Sequence, residues 1–283
     1  MESERKTHDY GSVIVKARDV AGMTIQDMLN KYARPGKHDW AWLKTSPFRP
    51  FFQHLCFSFK NQVFSILANP VDPKKRISLL PKQDIDNQIR ECESNNLVPC
   101  LFDVDINTMK PISGEWNLVH SRTGKDVIPQ DISDDTQVEM SPWELLNMGI
   151  ETAINAIEKS GHEICSFCDV PGINPQLWFV IKGDSVPSSL TIRTVAASST
   201  EVMTINDFIH EEKMKKYKHY FLNIELEHPA EYGYEPGKLY RAAPFHIKLK
   251  GLEPLPKALE THDYIKLEKG PQIWVKEMPE ELS

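Results

Sequence analysis

Residues 141 to 161, SPWELLNMGIETAINAIEKSG, carry the clearest local signal in the chain. Ser141 offers the side-chain oxygen that an N-cap needs, Pro142 suits the first helical position, and Glu144 stands three residues on, where a carboxylate closes a capping box. Trp143, Leu146, Ile150, Ala153, Ile154 and Ile157 then recur with the period of a one-faced helix, which Ser160 and Gly161 end. Glu144, Glu151 and Glu158 fall off that stripe and read as solvated charges.

Downstream, Glu163 to Phe167, Leu177 to Ile181 and Leu190 to Ala197 are short apolar runs separated by turn residues, and they read as three strands. Thr204 opens a second amphipathic helix carrying Ile205, Phe208, Ile209 and Tyr217, and Tyr220 to Leu226 follows as a strand of alternating character. The expected order is helix, three strands, helix, strand. Upstream, Ser121 to Ser141 combine Gly124 and Pro129 with Asp131, Asp134, Asp135 and Glu139, the composition of a solvated connection, so a domain boundary falls near residue 135.

The first half repeats that order more faintly. Thr24 to Ala33 suit a short helix, His54 to Phe59 and Gln62 to Ala68 a strand pair turning at Lys60 and Asn61, Asp84 the cap of a helix bearing Ile85, Ile89 and Cys92, and Leu97 to Val104 a strand. Either the first half is a degenerate copy of the second or both use a common alternation of helix and strand. The expectation is an α/β or α+β protein with a flexible N-terminus at 1–12, an N-terminal α/β domain at 13–134, and a C-terminal domain with an extension at 135–283.

Composition narrows the function class. The 283 residues are 40% apolar and 26% charged, the mixture of an ordinary globular protein. No apolar run approaches the roughly 18 residues of a membrane span, and Met1 to Gly11 lack the apolar core of a secretory signal. Five cysteines, Cys56, Cys92, Cys100, Cys165 and Cys168, are too few for a secreted disulfide framework and read as reduced thiols, so a cytoplasmic location is expected. A net charge of -7 argues against a surface built to coat nucleic acid.

The order of elements over Ser141 to Leu226 resembles the restriction endonuclease-like superfamily. Active members place an acidic residue at the start of the second core strand and a carboxylate, spacer and lysine on the third, which hold a divalent cation and position the attacking water. Here the corresponding places carry Gln176, after Asn174 and Pro175, and Thr191 and Arg193. The resemblance therefore implies a degenerate core without its metal carboxylates, since neutral Gln and Thr oxygens replace them poorly. Glu151 and Asp169 are the nearest spare acids for a displaced site. Arg193, in the place of the lysine, is able to grip a carboxylate or phosphate beside Gln176.

Two further patterns compete with bland readings. His162, Cys165 and Cys168 have ligand types that zinc prefers, but 162 and 165 point to opposite faces of a strand and no second ligand pair follows, so buried free thiols are expected and no metal or cofactor. Lys213, Lys215, Lys216 and Lys218 form a basic face that suits phosphate or an acidic protein, or simply solvent. Trp40, Trp42, Phe48, Phe51 and Phe52 suit a core or a domain contact. The expected function is a non-catalytic binding or scaffolding protein of a bacterial cytoplasm with a protein or nucleic-acid partner. The alternatives are a metal-dependent nuclease with displaced carboxylates and an inhibitor- or chaperone-like interaction module.

Overall fold

The computed structural model describes residues 2–45, 54–75, 77–112, 114–206 and 214–267. The protein is a mixed α/β chain. Its first half runs α1 (Glu2–Tyr32), β1 (Trp40–Lys44), β2 (His54–Phe59), β3 (Gln62–Asp72), β4 (Ile77–Ser78), α2 (Lys82–Asn95), β5 (Val98–Asp105), β6 (Lys110–Pro111), β7 (Leu118–His120) and the single turn α3 (Pro129–Ile132). The second half runs α4 (Pro142–Lys159), β8 (Glu163–Phe167), β9 (Leu177–Val180), β10 (Ser188–Ala196), β11 (Met203–Asn206), β12 (Lys218–Glu227), β13 (His246–Pro254), α5 (Leu255–Thr261) and β14 (Tyr264–Leu267).

Each half is built on one mixed sheet. In the first, β1/β2 and β2/β3 are antiparallel, β3/β5 parallel and β5/β7 antiparallel. In the second, β8/β9 and β9/β10 are antiparallel, β10/β12 parallel and β12/β13 antiparallel. The same five-strand path and the same pairing senses thus occur twice, each sheet preceded by a long helix. A parallel neighbour needs a crossover; α2 lies on the first one, and 207–213 on the second lie outside the described residues.

The leading helices show how similar packing arises from different sequence. α1 buries Ile14, Ala17, Ala21, Ile25 and Leu29, a stripe whose alanines let the helix lie close on Phe57, Phe64 and Phe102. The chain is therefore helical from Glu2, where a flexible N-terminus and a short helix from Thr24 were expected. α4 starts as the sequence predicts: Ser141 accepts from the Glu144 N–H at 3.2 Å and Glu144 accepts from the Ser141 N–H at 2.9 Å. Its apolar face lies on Ile164, Leu177, Leu190, Ile192 and Ile224. Gly149 is required there, because a Cβ would stand 1.9 Å from Thr194 Oγ1.

Other expectations are corrected. Asp84 lies inside the first turn of α2, whose N-cap is Pro81. Thr204 belongs to β11, paired in parallel with β14, and does not open a helix; the rest of the expected helix lies largely at 207–213, outside the described residues. β12 is buried on both faces instead of alternating, because β11 and α5 bring Met203, Ile205, Leu255 and Ala258 against Phe221 opposite α4. Trp40 and Trp42 pack on the first core, while Phe48, Phe51 and Phe52 lie outside the described residues.

A buried ion pair of the second half also reaches the first. Glu144, expected in solvent, is fully buried and receives Arg241 in a two-pronged pair, Nε to Oε1 and Nη2 to Oε2, both 2.8 Å. The third prong, Arg241 Nη1, donates to the Asn61 carbonyl of the β2/β3 turn at 2.8 Å. Asp135 of the expected linker receives Arg34 at 2.7 and 2.8 Å, and Asn61 donates to Asp134 at 2.5 Å, so the linker is fastened rather than loosely solvated.

Candidate functional site

The geometry that creates a site is the divergence of β9 from β10. The pairing covers Ser188 to Leu190 only, ending at Leu190 opposite Leu177. Beyond it the Gln176 N–H still donates to the Leu190 carbonyl at 3.0 Å, and the Gln176 side chain continues the ladder, its Oε1 accepting from the Ile192 N–H at 2.8 Å. Gln176 Nε2 donates to Asn174 Oδ1 at 2.6 Å, and Asn174 Nδ2 to the Thr204 carbonyl at 2.6 Å. Past Ile192 the outer edge of β10 faces a cleft of about 250 Å³ lined by Leu145 and Leu146 of α4, by Gln176, Thr191 and Arg193, and by Met203.

Gln176, Thr191 and Arg193, expected to lie together, do line this one cleft. Thr191 is buried, and its hydroxyl has no hydrogen-bond partner among the described residues. Arg193 is half-buried; Nη1 donates to Asn223 Oδ1 on β12 at 3.3 Å and Nη2 to the Glu201 carbonyl. Among the described residues its partners are an amide oxygen and a carbonyl, and no carboxylate pairs with it. Glu201 and Asn223, which with Asn174 complete the surroundings of Arg193 and Gln176, are not visible to sequence reasoning, because no motif spacing links them to β10.

Glu151 and Asp169 lie elsewhere, at the junction of the halves. Glu151 accepts from the Thr45 N–H at 2.9 Å. Asp169 and Lys44 form a buried ion pair, beside the Glu91 carboxylate that accepts from Trp143 Nε1 at 3.0 Å. Burial works against the Lys44 charge, but Asp169 and then Glu91 outweigh it and hold its pKa above the usual lysine value. Burial likewise opposes the Asp169 charge, and Lys44 overcomes it, leaving that carboxyl below its ordinary value. Glu91 is pushed up by burial and then by Asp169, and burial with Lys44 nearby lowers His54 to about 3. This cluster joins β1, β2 and α2 to the second half, and the sequence shows only one of its members, Asp169, as a candidate.

The remaining candidates are dispersed. Cys165 is exposed where the β8/β9 register shifts, and Cys168 is half-buried, so the expectation of two buried thiols is corrected. His162 Nδ1 accepts from the Lys182 N–H at 3.2 Å. Among the described residues no three His, Cys, Asp or Glu side chains converge as metal ligands. Lys215 and Lys216 lie in an exposed turn instead of on a helix, Lys218 begins β12 and pairs with Asp184 at 2.8 Å, and Lys213 lies outside the described residues.

A family model for a domain of unknown function (DUF8840) matches residues 143–255, which include the cleft residues named above. No curated protein and no solved structure matches the chain. No helix among the described residues is long and apolar enough to cross a membrane.

Proposed function

We propose that this chain is a non-catalytic binding or scaffolding protein built on a degenerate restriction endonuclease-like core, with the cleft beside β10 as its binding site. The observation that carries the reading is the role of Gln176. Where the resemblance calls for a metal carboxylate, a neutral amide bridges Asn174 and Ile192 and holds the β10 backbone in place. The two acids nearest in sequence are engaged at the junction of the halves, Asp169 with Lys44 and Glu151 with Thr45. The order α1, β1, β2, β3, α2, β5 in the first half supports a nuclease-like origin for both halves. Five free cysteines suit a cytoplasmic location.

A second reading, the protein-interaction module, is favoured by β13, an edge strand on which Ile247, Leu249 and Leu252 are exposed. The two readings agree that the cleft holds no catalytic cation. Titration with manganese, followed by paramagnetic broadening of backbone amide signals, tests this. The expected result is no preferential broadening at 174–176 and 191–193. Selective loss of those signals at low manganese, reversed by magnesium, overturns the reading in favour of a nuclease with displaced carboxylates.

A further inference from the structure

We infer that the cleft binds an extended peptide, added as a strand along the open edge of β10, with apolar side chains alternating with an acidic one. The inference rests on the binding-protein reading and names its ligand.

Backbone direction comes first. The Leu190 carbonyl and the Ile192 N–H both point to the β9 side, where Gln176 meets them. The Ala197 N–H, one residue out of phase with this set, donates to Leu226 on the β12 side. Strand alternation therefore turns the Ile192 carbonyl and the N–H and carbonyl of Thr194 outward. Both residues line the cleft. An exposed row of main-chain donors and acceptors of this kind is what a peptide strand pairs with, and the Gln176 amide already imitates one residue of such a partner.

Side-chain direction then sets the ligand's pattern. Ile192 and Thr194 face α4, as their approach to Gly149 shows, so a peptide residue opposite either turns its side chain towards Leu145 and Leu146. Thr191 and Arg193 face the other way. A peptide residue opposite Arg193 meets a guanidinium without a carboxylate partner among the described residues. An acidic side chain there meets the fixed positive charge of Arg193; the Glu201 side chain shares the cleft but does not pair with it. The favoured segment therefore reads apolar, acidic, apolar.

The test uses the full chain and capped, fluorescent pentapeptides. The probe is Val-Glu-Val-Glu-Val, with Ile and Phe counterparts in place of Val. Its controls carry Lys for Glu, or a methyl group on the central backbone nitrogen. Saturable binding by at least one acidic peptide is expected, with each control weaker by about tenfold or more, the scale of one lost hydrogen bond or charge pair. Hydrogen exchange of the Thr194 amide is expected to slow on binding, and Arg193→Gln to remove the preference for Glu over Lys. No acidic peptide binding below about 1 mM, or equal binding of parent and N-methyl peptide, overturns the inference. Because the N-methyl control leaves the protein unaltered, that result does not depend on how Arg193→Gln folds. Peptide failure without metal-dependent nucleic-acid cleavage overturns the ligand alone, whereas such cleavage overturns the binding-protein reading beneath it.

Discussion

Arg241→Met is predicted to be among the most destabilising single substitutions in the chain. The guanidinium is almost fully buried and makes three hydrogen bonds of 2.8 Å, two to Glu144 and one to the Asn61 carbonyl. Its removal leaves the Glu144 carboxylate, itself fully buried, with only the Ser141 N–H at 2.9 Å among the described residues. Breaking a buried pair from one side costs about 3–5 kcal/mol, because the remaining charge is uncompensated. The orphaned Asn61 carbonyl adds about 1 kcal/mol. Against a typical total of about 5–15 kcal/mol this is a large fraction. Urea unfolding followed by tryptophan fluorescence measures it, and a cycle with Glu144→Met isolates the pair: the double variant is expected to be more stable than the sum of the single losses implies. A loss below about 1 kcal/mol for Arg241→Met, the scale of an exposed pair, refutes the assignment of this contact as a strongly stabilising buried ion pair.

Three further outcomes follow from particular contacts. Burial holds His54 at about 3 against about 6.5 in an unfolded chain, so its contribution is intact above pH ~6.5 and is lost as pH falls towards 3, at up to about 1.4 kcal/mol per pH unit. His54→Gln is expected to flatten stability in that window, and an unchanged slope contradicts it. Gly149→Ala is expected to destabilise by about 1–3 kcal/mol despite the better helix propensity of alanine, since its Cβ overlaps Thr194 Oγ1, and Thr194→Ala in the same chain is expected to recover most of the loss. Gln176→Leu leaves the buried Ile192 N–H without its acceptor, and a melting-point drop equivalent to about 1–3 kcal/mol, with faster exchange at that amide, is expected.

Local signals were legible where a single residue type answers a backbone need. The capping box at Ser141 and Glu144 and the tight turn at Lys60 and Asn61 fall where the sequence places them. α1 is longer than its sequence suggests because its contact stripe uses Ala17 and Ala21, which pack closely but raise no strong apolar periodicity. β13 is exposed along nearly its whole length and so leaves no core pattern to read. The buried ion pairs were hidden for a different reason. Lys44 and Asp169 are 125 residues apart and Glu144 and Arg241 are 97 apart, and no spacing rule foretells that opposite charges will meet in the interior. Gln176, Thr191 and Arg193 were singled out by the resemblance alone, and they line one cleft.

The most direct test of the central claim is incubation of the purified full chain with single- and double-stranded DNA and RNA in the presence of magnesium or manganese. The account predicts no cleavage above that of a mock purification, because Gln176 and Thr191 stand where the proposed resemblance calls for metal carboxylates, and Gln176 holds the backbone instead. Cleavage that follows the folded protein through purification, requires the metal and disappears on Glu201→Gln, the acid beside Arg193 in the cleft, contradicts it.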